Sequence, residues 1–417
     1  MTLPLLNLSF SELPERCDVL VVGAGPAGSA AATLLARSGW DVVLVDRRSF
    51  PREKVCGDGL IPDAHAALRE LGVLDEVMAR AQGLQHVGCI GPRGTRVDVP
   101  ATLAVLARRE LDDILCRNAV RQGARMHAPV HFEAPLHDAS GRVVGARLSN
   151  GGETRELQAR WVVLATGAGT QPLVAADMCE RQTPSGVALR GYVKNDAMQE
   201  RITAMEIVWH RELRPGYGWI FPCGDGVFNI GVGVFDMHTT DAQGRNAMAN
   251  VNLRQLFDAF CGFYAPAKEL MAGGVLQGQL KGAPLRCTLR GARFARPGLL
   301  VAGEAAGSTY AFTGEGIGKA METGMLAARG LLQAAAKGLD DAAVCQSYAA
   351  QLTALQPRFR FYERANQVNA HPWVVDLLLW RARKSERLLR RMSGVLNETA
   401  HPGQLFTARG IYKLFTE

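Results

Sequence analysis

The hydrophobic pattern is sharpest over residues 17–46. Residues 19–22 form a short apolar run rich in β-branched side chains, which predicts a strand buried on both faces. The glycine-rich GAGPAG follows at 23–28. An alanine-rich stretch at 29–38 then offers the small side chains that let a helix lie close on a sheet. Gly39 ends that helix, and 42–45 give a second apolar strand closing on Asp46. Together these elements predict a dinucleotide-binding unit. Gly23, Gly25 and Gly28 allow the tight turn and the approach of backbone to a pyrophosphate at the helix N-terminus, and Asp46 can accept ribose hydroxyls. An ordinary βαβ unit with glycine turns is the plainer alternative. The loop by itself does not separate FAD from a nicotinamide.

After Asp46 the segment RRSFPREKVCGDGLIP is too rich in proline, glycine and charge for a regular element, and reads as a long loop or a cover over the cofactor. Residues 63–80 predict a helix. Residues 86–99 predict a hairpin broken at GPRG, and 108–122 a helix with Leu111, Ile114, Leu115, Ala119 and Val120 on one face. Strands are expected at 126–131, 143–148 and 161–165. From 183 to 285 the pattern is mostly strand and loop, with runs at 186–193, 207–209, 218–221 and 227–234 and a short helix near 253–263. Residues 299–302 form another buried strand. A glycine-rich stretch then turns into a helix over 316–336, and the chain from 338 on is helical and more amphipathic. The expected class is α/β: a discontinuous Rossmann-like domain (17–85, 100–182 and 286–335), a β-sheet substrate domain (86–99 and 183–285) and a helical C-terminal region (336–417).

Length and composition bound this picture. A chain of 417 residues, 47% hydrophobic, can bury a sizeable core in two or three domains. The N-terminus lacks a secretory pattern and no apolar run is long enough to span a bilayer, so a cytoplasmic location is expected. Nine scattered cysteines with no Cys-x-x-Cys pair point neither to a disulfide framework nor to a metal site. Much of the net charge of +7 lies near the C-terminus, where 380–391 carries six basic residues against Glu386, directly after the apolar 373–379. Two readings stand for this segment: a peripheral membrane contact through 373–391, or a solvated helix packed on the body. No nucleic-acid module is present, and no nucleic-acid partner is expected.

Four separated features point to one cofactor: the opening βαβ unit, Arg108 at the start of a helix, Gly303-Glu304 after a buried strand, and TGEGI at 313–317, where a helix N-terminus would meet an anionic ring edge. The order of GAGPAG, an acid after the second strand, KVCGDGL, RRELD, ATG, YGWIFP, GEAAG and TGEGI resembles the geranylgeranyl reductase family, within the FAD proteins built like para-hydroxybenzoate hydroxylase. The resemblance covers residues 17–332. It implies FAD as cofactor, with Ala27, Asp46, Cys56, Gly57, Gly59, Arg108, Glu304, Gly316 and Ile317 at contacting positions. It also implies that Tyr217, Trp219 and Phe221, on one face of a strand by alternation, line a channel for an apolar tail, and that Cys56 assists reduction beside the flavin. The implied reaction is hydride transfer to one carbon of a C=C bond and proton delivery to the other, by Cys56 or a water held by Tyr217. Cys56, Tyr217 and Trp219 are thus the catalytic candidates. The electron donor stays open between NAD(P)H and a redox protein.

Three departures separate the chain from its aromatic hydroxylase cousins. The acid of their Asp-Gly motif is missing after Ala165-Thr166-Gly167, a Glu is replaced by Asp46, and an Asp is replaced by Glu304. A flavin monooxygenase is the first alternative. A halogenase would need a lysine, and none lies between Lys54 and Lys194, with Lys54 early in its loop. A membrane-docked electron-transfer flavoprotein is the alternative of another class.

Overall fold

The computed structural model describes residues 6–235, 248 and 251–397. The opening pattern folds as β1 (Arg16–Val22), α1 (Pro26–Arg37) and β2 (Val42–Val45). Next come β3 (Gly59–Leu60), α2 (Pro62–Leu71), α3 (Leu74–Met78), the hairpin β4 (Gln82–Ile90) and β5 (Arg96–Val105), and α4 (Arg108–Arg121). The chain continues through β6 (Arg125–His127), β7 (His131–His137), β8 (Val143–Asn150), β9 (Glu153–Leu164), α5 (Gln171–Ala175), β10 (Gly186–Lys194), β11 (Met205–Val208), β12 (Gly216–Gly224) and β13 (Val227–Phe235). It closes with α6 (Leu253–Phe263), α7 (Ala265–Gly273), β14 (Val275–Leu285), β15 (Ala295–Arg296), β16 (Leu299–Val301), α8 (Ile317–Lys337), α9 (Asp341–Ala365), α10 (Gln367–Ala370), α11 (Trp373–Ala382) and α12 (Glu386–Leu396). Residues 236–247, 249–250 and 398–417, which belong to the expected substrate and C-terminal regions, lie outside the described residues.

Among the described residues, two eight-stranded sheets carry the molecule. The first has the order β15-β16-β9-β1-β2-β6, and the pairings among β16, β9, β1, β2 and β6 are parallel. The second half of β9 lies beside β1, while its first half turns back as an antiparallel meander with β8 and β7. The second sheet runs β14-β10-β13-β12-β11-β4-β5-β3 and is antiparallel except between β11 and β4. One of its faces packs Ile220, Ile230 and Val232 under Phe257 and Phe260 of α6. The other turns Tyr217, Trp219, Phe221 and Phe235 toward a core shared with Val375, Leu379 and Leu388 of the C-terminal helices.

Several elements depart from the pattern. The helix expected over 63–80 divides at Gly72, whose φ of +77° ends α2 in the left-handed conformation that glycine takes without strain. The strand expected over 126–131 splits into β6 and β7 around Pro129, which has no N–H to donate to a ladder. The hairpin expected over 86–99 is longer, and β3 joins its outer edge. Helix α7 and strand β14 were hidden in the region read as strand and loop.

Helix α8 lies against α1 more closely than ordinary side chains permit. A Cβ on Gly324 would stand 2.1 Å from the Ala27 carbonyl oxygen. Gly330, six residues further along the same helix, has nothing within 4 Å of its added Cβ. The two positions therefore carry predictions of opposite sign. Gly324→Ala should lower stability by about 1–3 kcal/mol through overpacking, whereas Gly330→Ala should raise it by about 0.5–1 kcal/mol through helix propensity. Urea unfolding of both variants checks this; equal effects would contradict the packing.

Candidate active site

A cavity of about 380 Å³ runs across the junction of the two sheets. That volume is in the range of ligand sites. At one end it is walled by Gly23, Gly25 and Ala27, by Asp46 at the end of β2, and by Arg108 at the start of α4. Residues 52–59 form its flank, with Glu304, Gly316 and Ile317 opposite. At the other end stand Tyr217, Trp219, Phe221 and Phe235. Fourteen of the sixteen residues singled out from the sequence therefore share one cavity. The exceptions are Gly28 and Gly303. A Cβ on Gly28 would fall 1.8 Å from the Gly23 carbonyl oxygen, so this glycine closes the turn, and the Gly303 N–H is taken by Thr323 Oγ1 at 2.9 Å.

The polar end is built from charges of alternating sign. Arg108 grips Asp112 through Nε and Nη2 at 2.7 and 2.8 Å. Arg52 reaches Asp112 at 3.0 Å and holds Asp46 in a fork at 3.2 and 3.1 Å. The Asp46 carboxylate also accepts the Ala24 N–H at 3.0 Å, which ties the acid at the end of β2 to the glycine turn. Lys54, set aside in the sequence as too early in its loop, lines the cavity with its ammonium 3.8 Å from Glu304.

Alternation on β12 does what period two requires. Tyr217, Trp219 and Phe221 share the cavity face, with neighbouring ring centroids 6.3 Å apart in each pair. Gly233 and Gly231 stand opposite Tyr217 and Trp219 on β13, and a Cβ on Gly231 would strike the indole at 2.3 Å. The bare backbone makes room for the ring. The Tyr217 hydroxyl donates to the Thr313 carbonyl at 2.5 Å, so its proton is spent on the loop that starts α8. Cys56 lies in the flank beside these rings. Burial pushes its thiol up, the Asp58 carboxylate adds to that, and the Arg108 guanidinium opposes it. The thiol is therefore protonated at neutral pH.

The residues present fit an FAD. The Arg108 and Arg52 guanidinia each come within 3.7 Å of the point where a Gly25 side chain would begin, leaving a cradle for a diphosphate. Helices α1 and α8 both start at the cavity without a side-chain cap, so their first N–H groups face it with the positive end of each dipole. The hydroxyls of Thr166 and Thr313, both in the cavity wall, are buried without a hydrogen-bond partner among the described residues. Sequence reasoning passed over Asn229, and quoted Arg52, Asp58 and Asp112 only as letters in RRSFPREKVCGDGLIP and RRELD. Burial and partnership, not residue type, mark them.

Residues 16–355 match the model of the FAD binding domain family. Over 333 residues the chain is 37% identical to menaquinone reductase of Mycolicibacterium smegmatis, covering 75% of this chain and 76% of that one. It is 29% identical over 314 residues to digeranylgeranylglycerophospholipid reductase 1 of Methanopyrus kandleri, covering 74% and 79%. A geranylgeranyl bacteriochlorophyll reductase-like protein of Thermoplasma acidophilum shares the fold, with a TM-score of 0.76 at 21% identity over 97% of this chain and 96% of that one. The chain thus belongs to the FAD binding domain family as an FAD-dependent oxidoreductase of the geranylgeranyl reductase group.

Proposed function

We propose that this protein reduces a C=C bond of a prenyl chain. The observation that carries the reading is the continuity of one cavity from Gly25, Arg52 and Arg108 to an aromatic, apolar end, with Cys56 in its wall. The reductases named above, which share about three quarters of the chain, support it. FAD, when bound and reduced, supplies the hydride. The chain's own residues do the rest. Gly23, Gly25 and Ala27 with Arg108 and Arg52 bind the diphosphate, and Asp46 and Glu304 stand at the carboxylate positions for the polyol parts. Gly57 and Gly59 let the flank pass close to Phe221 and Met205, where a Cβ would stand 3.2 and 2.5 Å away. Gly316 and Ile317 present the uncapped start of α8 to the ring edge. Tyr217, Trp219 and Phe221 orient the alkene and exclude water. Cys56 donates the proton, and the thiolate left behind is stabilised by the Arg108 guanidinium until solvent returns the proton.

The apolar end of the cavity includes Leu396, at the tip of α12. Helix α11 exposes Trp373, Leu377 and Trp380 at spacings that share one face, with exposures of 66%, 37% and 50%. Lys384 lies 4.4 Å from the Trp380 ring, and Arg383, Arg387 and Arg390 are exposed nearby. Aromatic and basic side chains on one surface suit an anionic bilayer, and a membrane is where a prenyl lipid would be met. No helix among the described residues is long and apolar enough to cross it.

Four outcomes are expected. Anaerobically reduced protein should be reoxidised by a geranylgeranyl lipid or a prenylated quinone without oxygen; reoxidation that needs oxygen would assign a monooxygenase instead. Cys56→Ala should keep its FAD and slow that reoxidation at least about a hundredfold; unchanged turnover removes the thiol from the mechanism. Because the thiol is raised, the rate should hold through neutral pH and fall only as the pH passes above the ordinary thiol range. Finally, the protein should sediment with anionic liposomes at low salt, and Trp373→Ala with Trp380→Ala should weaken that partitioning at least about tenfold, without loss of flavin.

A further inference from the structure

The flank of the cavity contains a buried carboxylate that the reaction above does not use. Asp58 is fully buried and has a φ of +66°. Its Oδ2 accepts the Tyr192 hydroxyl at 2.5 Å and the Asn229 amide at 2.7 Å, and its Oδ1 accepts the Arg108 backbone N–H at 3.3 Å. The last contact caps α4 from a distant loop, since Ala107, at the start of that helix, supplies no side-chain cap. The Asn229 amide is used on both sides. Its Nδ2 also donates to the Cys56 carbonyl at 2.8 Å, and its Oδ1 accepts the Trp219 indole N–H at 2.9 Å. A single chain of contacts thus runs from the start of α4 through Asp58 and Asn229 to both the Cys56 loop and the Trp219 ring.

We propose that Asp58 and Asn229 are positioning residues: the Asp58 carboxylate fixes which way the Asn229 amide points, and that amide sets the Trp219 indole and the Cys56 loop in one register across the cavity. Three donors converge on the carboxylate, so its ionised form is the one the site is built for. Asn229 could turn its amide over in isolation, but a donor on one side and an acceptor on the other hold it. The indole plane is then fixed at its N–H edge by Asn229 and given room at its benzene edge by Gly231. The arrangement places the apolar wall on β12 and the proton donor on the loop before β3 relative to each other.

The chain should be pH-sensitive in a defined sense. Burial raises the Asp58 carboxyl to about 6, against the lowering effect of Tyr192, Asn229, Arg190 and Arg108. Arg190 and Tyr192 face it from β10, Arg108 from α4, Cys56 from its own loop, and Cys223 of β12 stands by Tyr192. Above that pH the carboxylate accepts all three donors. Below it, a proton occupies one oxygen and the Asn229 contact or its neighbours must give way.

Two variants test this with little change of shape: Asp58→Asn, and Trp219→Phe, which deletes the indole N–H and keeps a ring. In protein labelled with 15N-tryptophan, the indole resonance absent from Trp219→Phe should shift between about pH 5 and pH 8 with a midpoint near 6, and Asp58→Asn should abolish the shift. A resonance that does not move, or moves equally in Asp58→Asn, overturns the proposal. The kinetic arm rests on the reductase reading: each variant should slow reoxidation by prenyl substrate about tenfold or more with FAD retained, and the double variant should be no slower than the worse single one. Losses that multiply would mean independent residues and overturn the chain. If no prenyl compound reoxidises any form while the Trp219 resonance titrates as expected, the substrate reading fails and the positioning chain stands.

Discussion

The polar end of the cavity depends on how four charges are buried together. Asp46, Arg52, Asp112 and Arg108 alternate in sign, so no ion lacks a partner at contact distance. Burial of such ions costs several kcal/mol each unless geometry and further hydrogen bonds offset it. Here two forked arginine–carboxylate contacts and the Ala24 N–H provide that offset. The consequence reaches beyond stability. The set is neutral as a whole, so attraction for a diphosphate comes from N–H groups that the aspartates leave unused and from two uncapped helix starts. The aspartates hold the guanidinia in place beforehand, and less ordering is left for the cofactor to impose.

That preorganisation covers only one sheet. The proposed chemistry takes its proton donor from the loop between β2 and β3 and its apolar wall from β12 of the second sheet. Close approach joins them: the flank passes Trp219 and Phe221 through glycines, where a Cβ at Gly57 would stand 3.2 Å from the Phe221 ring. Glycine permits contact but does not specify register. Register needs directional bonds, and Asn229 supplies them to both sides. Tyr217 makes a third tie, from β12 to the loop before α8.

Legibility in the sequence followed the range of the interaction. The βαβ unit was readable because turn, helix and strands are consecutive, and β2 spans the four residues that the apolar run marks. The aromatic face of β12 was readable because alternation is a local rule. Helix α7 and strand β14 were not: β14 is an edge strand, mostly exposed, and its sequence LQGQLKG has neither a sustained apolar run nor strict alternation. Asp58 and Asn229 lie 171 positions apart, and Arg52 and Asp112 60 apart, so no window of sequence contains either pair. Motif order named the cofactor, but the polar scaffold of the cavity is a product of the fold.

The C-terminal helices show why two readings that looked exclusive in the sequence need not compete. Val375, Leu379 and Leu388 are buried in the core that contains Tyr217 and Trp219, and Asp376 accepts the Arg93 N–H in the turn of the β4–β5 hairpin. These helices are therefore packed on the body. Trp373, Leu377 and Trp380 nonetheless stand outward on the same helix. Packing uses one stripe of a helix and leaves the opposite stripe for another partner. Asn369 extends the connection inward, accepting the Trp209 indole N–H at 2.8 Å and donating to the Phe312 carbonyl at 3.3 Å, one residue before the carbonyl that Tyr217 engages. Helix α10, which leads into α11 and its aromatic outer face, is thus hydrogen-bonded to the loop that opens α8.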